Sequence, residues 1–346
     1  MQFSVSFPGG TVQYLLQDSF DSYSKYADEV SCIFITDSNI AGLYPQLFRD
    51  KKTIVIPAGE AHKNLYTIEQ VIQELLQYEA HRASFIIGAG GGVVTDIAGF
   101  AASVYMRGIP FGFIPSTLLG MVDAAIGGKN GVDTGLYKNV AGSFRQPQFI
   151  LYDTSLLNTL PEPEWSNGFA EIIKYACLFD KALFEELWQN DVAYYKSNEA
   201  ALQALIQRCV NWKNKTVLAD ETEQKERKLL NFGHTLGHAI ENLYGLPHGH
   251  AVAIGMVAAC HIAEKVNGLD PKVRRQLVAL LAQYELPAYY AFDPERVMEV
   301  LIRDKKRRAE HIDYILLEDI GKAMIQALPF EAIKQGLTQL QDASDR

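Results

Sequence analysis

The chain lacks a long apolar run. No apolar stretch approaches the roughly 18 uninterrupted residues that a membrane-spanning helix needs. The first residues, MQFSVSFPGG, lack the charged and apolar regions of a secretory signal peptide. We therefore expect no membrane partner and a cytoplasmic location.

Cysteine is also scarce. The four cysteines are Cys32, Cys177, Cys209 and Cys260, and no two of them share a close spacing. This excludes a zinc ribbon and a local redox pair. The expected state is buried free thiols in a reducing compartment.

Basic residues are outnumbered. The chain has 32 Lys and Arg against 41 Asp and Glu, which gives a net charge of -9. An acidic chain is a poor candidate for binding nucleic acid. An anionic substrate is still compatible with this charge if positive side chains are gathered locally.

The 346 residues are enough for two domains, and the pattern changes along them. Short apolar strands alternate with helical spacing up to about Asp153, and mostly helical spacing follows. Strand–helix alternation predicts a mostly parallel, Rossmann-like α/β sheet. We expect an α/β domain over residues 1–156 and a mainly helical domain over 157–346, with the active site in the cleft between them.

A glycine cluster is the first functional signal. In SFIIGAGGGVVTDIAGF, a strand is followed by Gly88, Gly90, Gly91 and Gly92 and then by a helix. Such a turn lets the backbone approach a phosphate, and the helix start offers N–H groups to a pyrophosphate. Val93 stands where the dinucleotide fingerprint has its third glycine. A tight packing turn is the alternative, and we favour nucleotide binding.

Polar residues near other strand ends are ambiguous alone. Asp37 and Asn39 could contact ribose hydroxyls or simply form a turn. Glu60 and Lys63 could form a surface ion pair. Asp123 lies among apolar and small residues, where an unpaired carboxylate would be costly, so we expect a ligand or a lysine partner.

Histidines are concentrated late in the chain. His234 and His238 are one turn apart on a predicted helix face, and His248 and His250 follow shortly. Imidazoles with one carboxylate form a catalytic zinc set with an open position. Glu171 is the leading carboxylate candidate. The spacing does not decide which histidines bind.

Basic residues flank this region. Lys213 and Arg227 precede the histidine helix, and the run RDKKRR contains Lys305 and Lys306. A solvated helix end explains such a run. One or two of these side chains could instead neutralise a carboxylate or phosphate.

Together these motifs resemble the 3-dehydroquinate synthase family, from about Asp37 to Lys306. The segments that carry the resemblance are TDSN, GEAHK, GGGVVTD, YMRG, PSTLL, VDAAIGGKN, GLYKN, LPEPEW, AEIIKY, RKLLNFGHTLGHAIE, HGHAVAIGM and RDKK. Their order and spacing are specific, although no single segment is decisive.

The resemblance implies roles for individual residues. It implies zinc or cobalt ligands at Glu171, His234 and His248. It implies NAD contacts at Asp37, Asn39, Glu60, Lys63, Gly91, Gly92, Val93, Asp96, Ser116, Thr117, Asp123, Lys129, Lys138 and Thr159. It implies substrate contacts at Asp123, Lys129, Asn139, Lys174, Lys213, Arg227, Asn231, His238 and Lys305, with Lys306 as the alternative to Lys305. It also implies that Arg107 reaches the substrate phosphate of a neighbouring subunit, in a homodimer.

The implied activity is a carbon–oxygen lyase reaction of the shikimate pathway. The substrate, 3-deoxy-arabino-heptulosonate 7-phosphate, is oxidised by NAD, loses phosphate, is reduced again and closes to 3-dehydroquinate. Another sugar phosphate cyclase is a close alternative, and a metal-dependent polyol dehydrogenase is a more distant one. The chain departs from the family pattern at Ser116, commonly threonine, and at His250, commonly glutamate. We expect His250 to lie outside the metal ligands.

Overall fold

The strands form a seven-stranded sheet and two hairpins in the computed structural model, which describes residues 1–135, 137–305 and 311–344. The sheet order is β1-β2-β9-β6-β5-β3-β4; β1 and β2 pair antiparallel, and all other neighbours are parallel. The strands are β1 Gln2–Phe7, β2 Gly10–Leu16, β3 Cys32–Asp37, β4 Thr53–Ile56, β5 Phe85–Gly90, β6 Phe111–Pro115, β7 Lys129–Thr134, β8 Tyr137–Phe144, β9 Phe149–Tyr152, β10 His311–Asp319 and β11 Lys322–Pro329.

Twelve α-helices are found in the described part of the chain. They are α1 Ser38–Leu43, α2 Leu65–Gln77, α3 Gly92–Val104, α4 Glu162–Phe179, α5 Lys181–Gln189, α6 Val192–Ser197, α7 Glu199–Ala219, α8 His234–Tyr244, α9 His248–Val266, α10 Pro271–Gln283, α11 Pro294–Lys305 and α12 Phe330–Ser344. None of the helices in these residues has an apolar stretch long enough to cross a bilayer.

The parallel strands are apolar because both faces of the sheet are covered. All six residues of β5 and all five of β6 are buried. Buried parallel strands read as continuous apolar runs, without the alternation of a half-exposed strand. This is why Ile86, Ile87 and Phe113 could be assigned to strands from sequence, and it confirms the predicted α/β fold class.

The chain divides into two units. Unit 1 contains residues 1–164 and 200–222, and unit 2 contains 165–199 and 223–346. The expected boundary was a single cut at 156/157. In the structure unit 1 runs to Glu164 and also includes Ala200–Thr222, which contains all of α7 except its first residue. Tyr14 in β2 donates a 2.6 Å hydrogen bond to Asn214 in α7, which ties the late helix to the sheet.

The antiparallel pairs β1–β2 and β7–β8 were not predicted. The β1–β2 ribbon extends the sheet, and β7 pairs with β8 in a glycine-rich stretch. The strand β8 reads YKNVAGSF, and none of its residues is fully buried. Such a strand lacks the apolar signal on which sequence-based assignment depends.

Candidate metal and nucleotide sites

Glu171 is a buried carboxylate of unit 2. Every residue of α4 from Trp165 to Leu178 is buried, so the helix carries polar side chains into the protein interior. The Glu171 side chain is 0% exposed, and the Nζ atom of Lys174, one turn later, contacts its Oε2 atom. An i,i+3 pair of Glu and Lys is most often a surface salt bridge, but here it is an interior ion pair.

Two imidazoles face the other oxygen of Glu171. His234, at the start of α8, places Nε2 3.4 Å from Oε1, and His248, at the start of α9, places Nε2 3.6 Å from it. Two ligands bound tetrahedrally at 2.0–2.2 Å from zinc lie about 3.4 Å apart. The three ligand atoms lie within 4.8 Å of one another. Their spacing fits one divalent cation.

Both imidazoles are oriented by bonds on their outer side. The Nδ1 atom of His234 lies 3.1 Å from the backbone oxygen of Phe232, and Nδ1 of His248 lies 3.2 Å from Oε2 of Glu241. An imidazole that donates from Nδ1 keeps its lone pair on Nε2, the nitrogen that faces Glu171. Sequence reasoning did not single out Glu241, although it lies in the segment HAIE beside the histidine pair.

A second group of possible ligands overlaps the first. His238, Glu241 and His248 also lie with ligand atoms within 4.8 Å. His250 is in neither group found among the described residues. That it is not a ligand stays a prediction. Burial lowers the pKa of His250.

The pKa values of the trio respond to burial and to one another. Burial alone would raise the pKa of Glu171, but Lys174 and the imidazoles hold it well below its usual value. Burial lowers the pKa of His234 well below 6.5. Burial would also lower the pKa of His248, but the nearby carboxylates of Glu171 and Glu241 raise it to about 9. Without a cation, a proton on His248 therefore balances this acidic surrounding.

Glycines set the spacing of the helices that carry these ligands. A Cβ on Gly255 of α9 would lie 1.9 Å from the carbonyl oxygen of Gly233, the residue before α8. A Cβ on Gly237 would lie 3.0 Å from the Ala251 carbonyl oxygen. Gly233 also has a φ of 79°, which favours glycine. The backbones of α8 and α9 therefore touch directly, and this contact positions His234 relative to His248.

A further contact fixes α9 on α4. The Gly249 amide donates a 3.1 Å hydrogen bond to Oδ1 of Asn167, and a Cβ on Gly249 would lie 2.6 Å from the Asn167 Cα atom. Asn167 precedes Glu171 by one helical turn and lies on the same face. The contact between α9 and α4 therefore lies next to His248 and one helical turn from Glu171.

The remaining unit 2 candidates have the following surroundings. Arg227 is 1% exposed and lies in a 3-10 helix over Glu226–Asn231. The Nδ2 atom of Asn231 donates a 2.5 Å hydrogen bond to Oε1 of Glu223, which sequence analysis did not identify as a candidate. His238 lies beside the trio, with its ring centroid 5.1 Å from that of His234. Lys305 ends α11, but its side chain and all of Lys306 lie outside the described residues.

The glycine cluster in unit 1 has two roles. Gly88 and Gly90 belong to β5, where an added Cβ would lie 2.7 Å from Ala98 and 2.5 Å from Val94 respectively. These two glycines let α3 pack on the strand, so the packing interpretation holds for them. Gly91 caps α3, and Gly92 is its first residue. The N–H groups suited to a pyrophosphate therefore begin at Gly91.

Charged candidates of unit 1 form pairs. Lys63 is buried, and its Nζ atom lies 2.5 Å from Oδ2 of Asp96. The Nζ atom of Lys138 lies 2.7 Å from Oε1 of Glu60. Sequence reasoning considered a surface ion pair between Glu60 and Lys63, and the structure gives each of them a different partner.

Asp123 has a lysine partner, which is one of the two possibilities expected from its sequence. It lies in a π-helical turn over Gly120–Ala124, and Nζ of Lys213 in α7 donates a 2.7 Å hydrogen bond to Oδ1. The two residues are 90 positions apart, so the sequence predicted the need for a partner but not its identity.

Other unit 1 candidates are held by local bonds. Asp37 caps α1, with Oδ1 accepting from the amides of Asn39 and Ile40 at 2.9 and 3.0 Å. This is the turn-forming role considered above. The hydroxyl of Thr117 accepts from the Gly120 amide at 3.0 Å, and that of Thr159 lies 2.7 Å from the Tyr44 hydroxyl. Ser116 is buried and Val93 half-buried. The exposed candidates of unit 1 are Asn39, Glu60, Arg107, Lys129, Asn139 and Thr159.

Comparison with known proteins supplies the context for this geometry. Residues 53–167 match the sequence model of the family described as 3-dehydroquinate synthase N-terminal, and residues 168–307 match the one described as 3-dehydroquinate synthase C-terminal. A 3-dehydroquinate synthase from Thermoanaerobacter pseudethanolicus is 40% identical over 92% of this chain and 94% of its own. One from Nitratiruptor sp. is 40% identical over 88% and 91%. The solved structure of a 2-epi-5-epi-valiolone synthase from Streptomyces hygroscopicus, with NAD+ and Zn2+ bound, is 28% identical with a TM-score of 0.85 and covers 98% of each chain.

Proposed function

Since the chain belongs to the 3-dehydroquinate synthase family, we propose that it catalyses the reaction for which that family is named. The substrate is 3-deoxy-D-arabino-heptulosonate 7-phosphate, and the products are 3-dehydroquinate and phosphate. The enzyme is a carbon–oxygen lyase that acts on a phosphorylated sugar acid and contributes to the biosynthesis of aromatic amino acids.

The observation that carries the proposal is the trio of Glu171, His234 and His248. The Nε2 atoms of His234 and His248 lie 3.4 and 3.6 Å from Oε1 of Glu171, close to the separation of two tetrahedral zinc ligands, and the resemblance to the family implies the same three residues as ligands. These residues would hold a zinc or cobalt ion. Lys174 neutralises one oxygen of Glu171 and leaves the other to face the imidazoles.

NAD is the second proposed cofactor. The first turn of α3 offers the amides of Gly91 and Gly92 to the pyrophosphate, and the pairs Lys63–Asp96 and Lys138–Glu60 supply charged side chains of the same unit. When bound, NAD supplies a reversible hydride acceptor, and the metal supplies Lewis-acid polarisation of substrate oxygens.

Cationic residues of the chain would bind the acidic substrate. Lys213, Arg227 and Lys174 are buried, and a cation in a desolvated place attracts an anion more strongly than one in water. We assign Lys213, Arg227 and Lys305 to the carboxylate and hydroxyl end of the substrate. Asn231 and His238 complete that end with neutral hydrogen-bonding groups.

The phosphate end would involve a second subunit. We assign it to Lys129, Asn139 and the partner's copy of Arg107, so the active form is a homodimer. Arg107 is exposed and lies at a sharp bend, where Met106, Arg107 and Gly108 all have positive φ values. This bend presents the guanidinium on the surface of unit 1, as a residue shared with another subunit requires.

Two alternatives are distinguished by one assay. Another sugar phosphate cyclase would release phosphate from a different phosphorylated sugar, and a polyol dehydrogenase would accumulate NADH. Phosphate release from the heptulosonate phosphate should be measured while NADH absorbance is followed in the same cuvette. We expect stoichiometric phosphate without net NADH. Net NADH, or no phosphate from this substrate, would contradict the proposal.

The shared site has its own test. Arg107→Ala should lower kcat/KM about ten- to a hundredfold, the effect of losing a charge-assisted hydrogen bond of roughly 1.5 to 3 kcal/mol. Mixing it with an inactive Lys213→Ala variant should recover activity, because a mixed dimer contains one intact site. If labelled subunits exchange and no activity returns, Arg107 does not act across subunits.

A further inference from the structure

Glu241 is the carboxylate that binds the outer side of His248. We propose that Glu241 is a positioning residue: it fixes His248 so that the cation is held by Glu171, His234 and His248, not by the overlapping group of His238, Glu241 and His248. The inference rests on the metal dependence in the proposed function and adds a specific role within it.

Distances separate the two carboxylates around His248. Glu241 Oε2 lies 3.2 Å from Nδ1, at the long end of the ordinary range for an N–H···O hydrogen bond. Glu171 Oε1 lies 3.4 and 3.6 Å from the Nε2 atoms of His234 and His248. These distances are too long for good hydrogen bonds and close to the distance between two ligands of a tetrahedral zinc ion. Glu241 thus fits a hydrogen-bonding partner, and Glu171 fits a ligand.

The tautomer follows from the same contact. With Nδ1–H donating to Glu241, the lone pair of His248 is on Nε2, the nitrogen nearest Glu171. If the cation were in the overlapping group, Glu241 would have to leave this hydrogen bond and become a ligand itself.

The helices place Glu241 where it can do this. His234, His238 and Glu241 occupy positions i, i+4 and i+7 of α8, which lie on one helix face. The Glu241 side chain is 11% exposed, so water competes little for its carboxylate. Since α8 also carries His234, one rigid helix supplies a ligand and orients a ligand of its neighbour.

The experiment measures metal binding directly. The dissociation constant for Zn2+ is determined by competition with a chromophoric chelator, and the Co2+-loaded protein is examined by visible absorption. We expect Glu241→Ala to weaken Zn2+ binding about 10- to 100-fold, as loss of an outer partner of a ligating histidine does. Glu241→Gln keeps an acceptor for Nδ1–H and should recover most of that loss. Both variants should keep a four-coordinate Co2+ spectrum.

The variant His238→Ala distinguishes the two possible ligand groups, because His238 belongs only to the overlapping one. Glu299→Gln is the matched control, since Glu299 is an exposed glutamate of α11. Both should bind Zn2+ like the unchanged protein. Loss of Zn2+ in His238→Ala comparable to that in His248→Ala would place the cation in the overlapping group and overturn the inference. So would wild-type affinity in Glu241→Ala, or a failure of Glu241→Gln to recover binding while the metal-free variants unfold at the wild-type temperature. If the unchanged protein binds no Zn2+, the proposed function fails first.

Discussion

The carboxylates with little solvent exposure have different surroundings in the two units. In unit 1, the Nζ atom of Lys63 lies 2.5 Å from Asp96 and that of Lys213 lies 2.7 Å from Asp123, so a lysine balances the charge of each carboxylate. In unit 2, Glu171 meets Lys174 on one oxygen and two imidazole Nε2 atoms, at longer distances, on the other. A lysine ammonium group balances the charge of a carboxylate. Imidazoles at the spacing of metal ligands instead leave space for a cation between themselves and the carboxylate. Burial alone therefore does not identify a metal site; the surroundings of each oxygen do.

The largest expected effect is loss of the metal from unit 2. His248→Ala should weaken Zn2+ binding by more than the roughly 100-fold typical of an outer residue, and turnover should fall with it. His250→Ala should keep the metal, because His250 is outside both ligand groups. Elemental analysis of the two purified variants measures this. Equal loss in both would show that the wrong histidine has been assigned.

A smaller effect, on stability, is expected from breaking the Asp123–Lys213 ion pair of unit 1. Asp123→Asn removes the carboxylate from the buried Lys213 and should cost about 3 kcal/mol of unfolding free energy. Zn2+ affinity should not change, which separates this site from the metal trio. Adding Lys213→Met should restore much of the stability. Chemical denaturation of the single and double variants measures the coupling, and simple additivity would contradict it.

Disturbing the backbone contact between α8 and α9 should lower the free energy of unfolding by roughly 1–3 kcal/mol. Gly255→Ala inserts a methyl group where the Gly233 carbonyl oxygen lies, so α8 and α9 must separate. Both thermal stability and Zn2+ affinity should fall. Gly42→Ala is the control, because a Cβ there meets nothing within 4 Å. An unchanged Zn2+ affinity in Gly255→Ala would show that this contact does not set the ligand spacing.

The smallest effect concerns pH. In the metal-free protein the pKa of His248 is raised from 6.5 to about 9, so its contribution to stability is complete below about pH 6.5 and is lost as pH rises through 9. His234, whose pKa is lowered, stays neutral in that range. The melting temperature of metal-free protein should decline from pH 6.5 to 9 more than that of His248→Gln. Parallel curves would contradict the assignment.

Sequence reasoning succeeded where the signal was local. The i,i+4 spacing of His234 and His238 placed both on one helix, and apolar runs such as Phe111 to Ile114 identified parallel strands. It could not identify contacts between distant residues. The Asp123–Lys213 pair and the Gly255–Gly233 contact depend on how separate elements pack, and no local pattern encodes that.

The assignment of α7 to unit 1 was not predicted, because it too depends on contacts between distant residues. Its residues have ordinary helical spacing, and only bonds such as that from Tyr14 to Asn214 assign it to the sheet. Similarly, Glu241 resembles any helical glutamate until its distance from His248 is known. Residue type and spacing identified the histidines and Glu171 as candidate ligands, the resemblance implied which of them bind, and tertiary structure was needed to find Glu241 beside His248.

The backbone contact of α8 with α9 has a consequence for how this site tolerates change. A distance set by Gly255 against the Gly233 carbonyl does not depend on the volume of any side chain. Exchanges among neighbouring core residues such as Leu236 and Ile240 can therefore alter stability without altering the separation of the two imidazoles. An engineer who wishes to change the preferred cation should adjust the glycine contact, and one who wishes to raise heat resistance can leave it alone and work on the surrounding core.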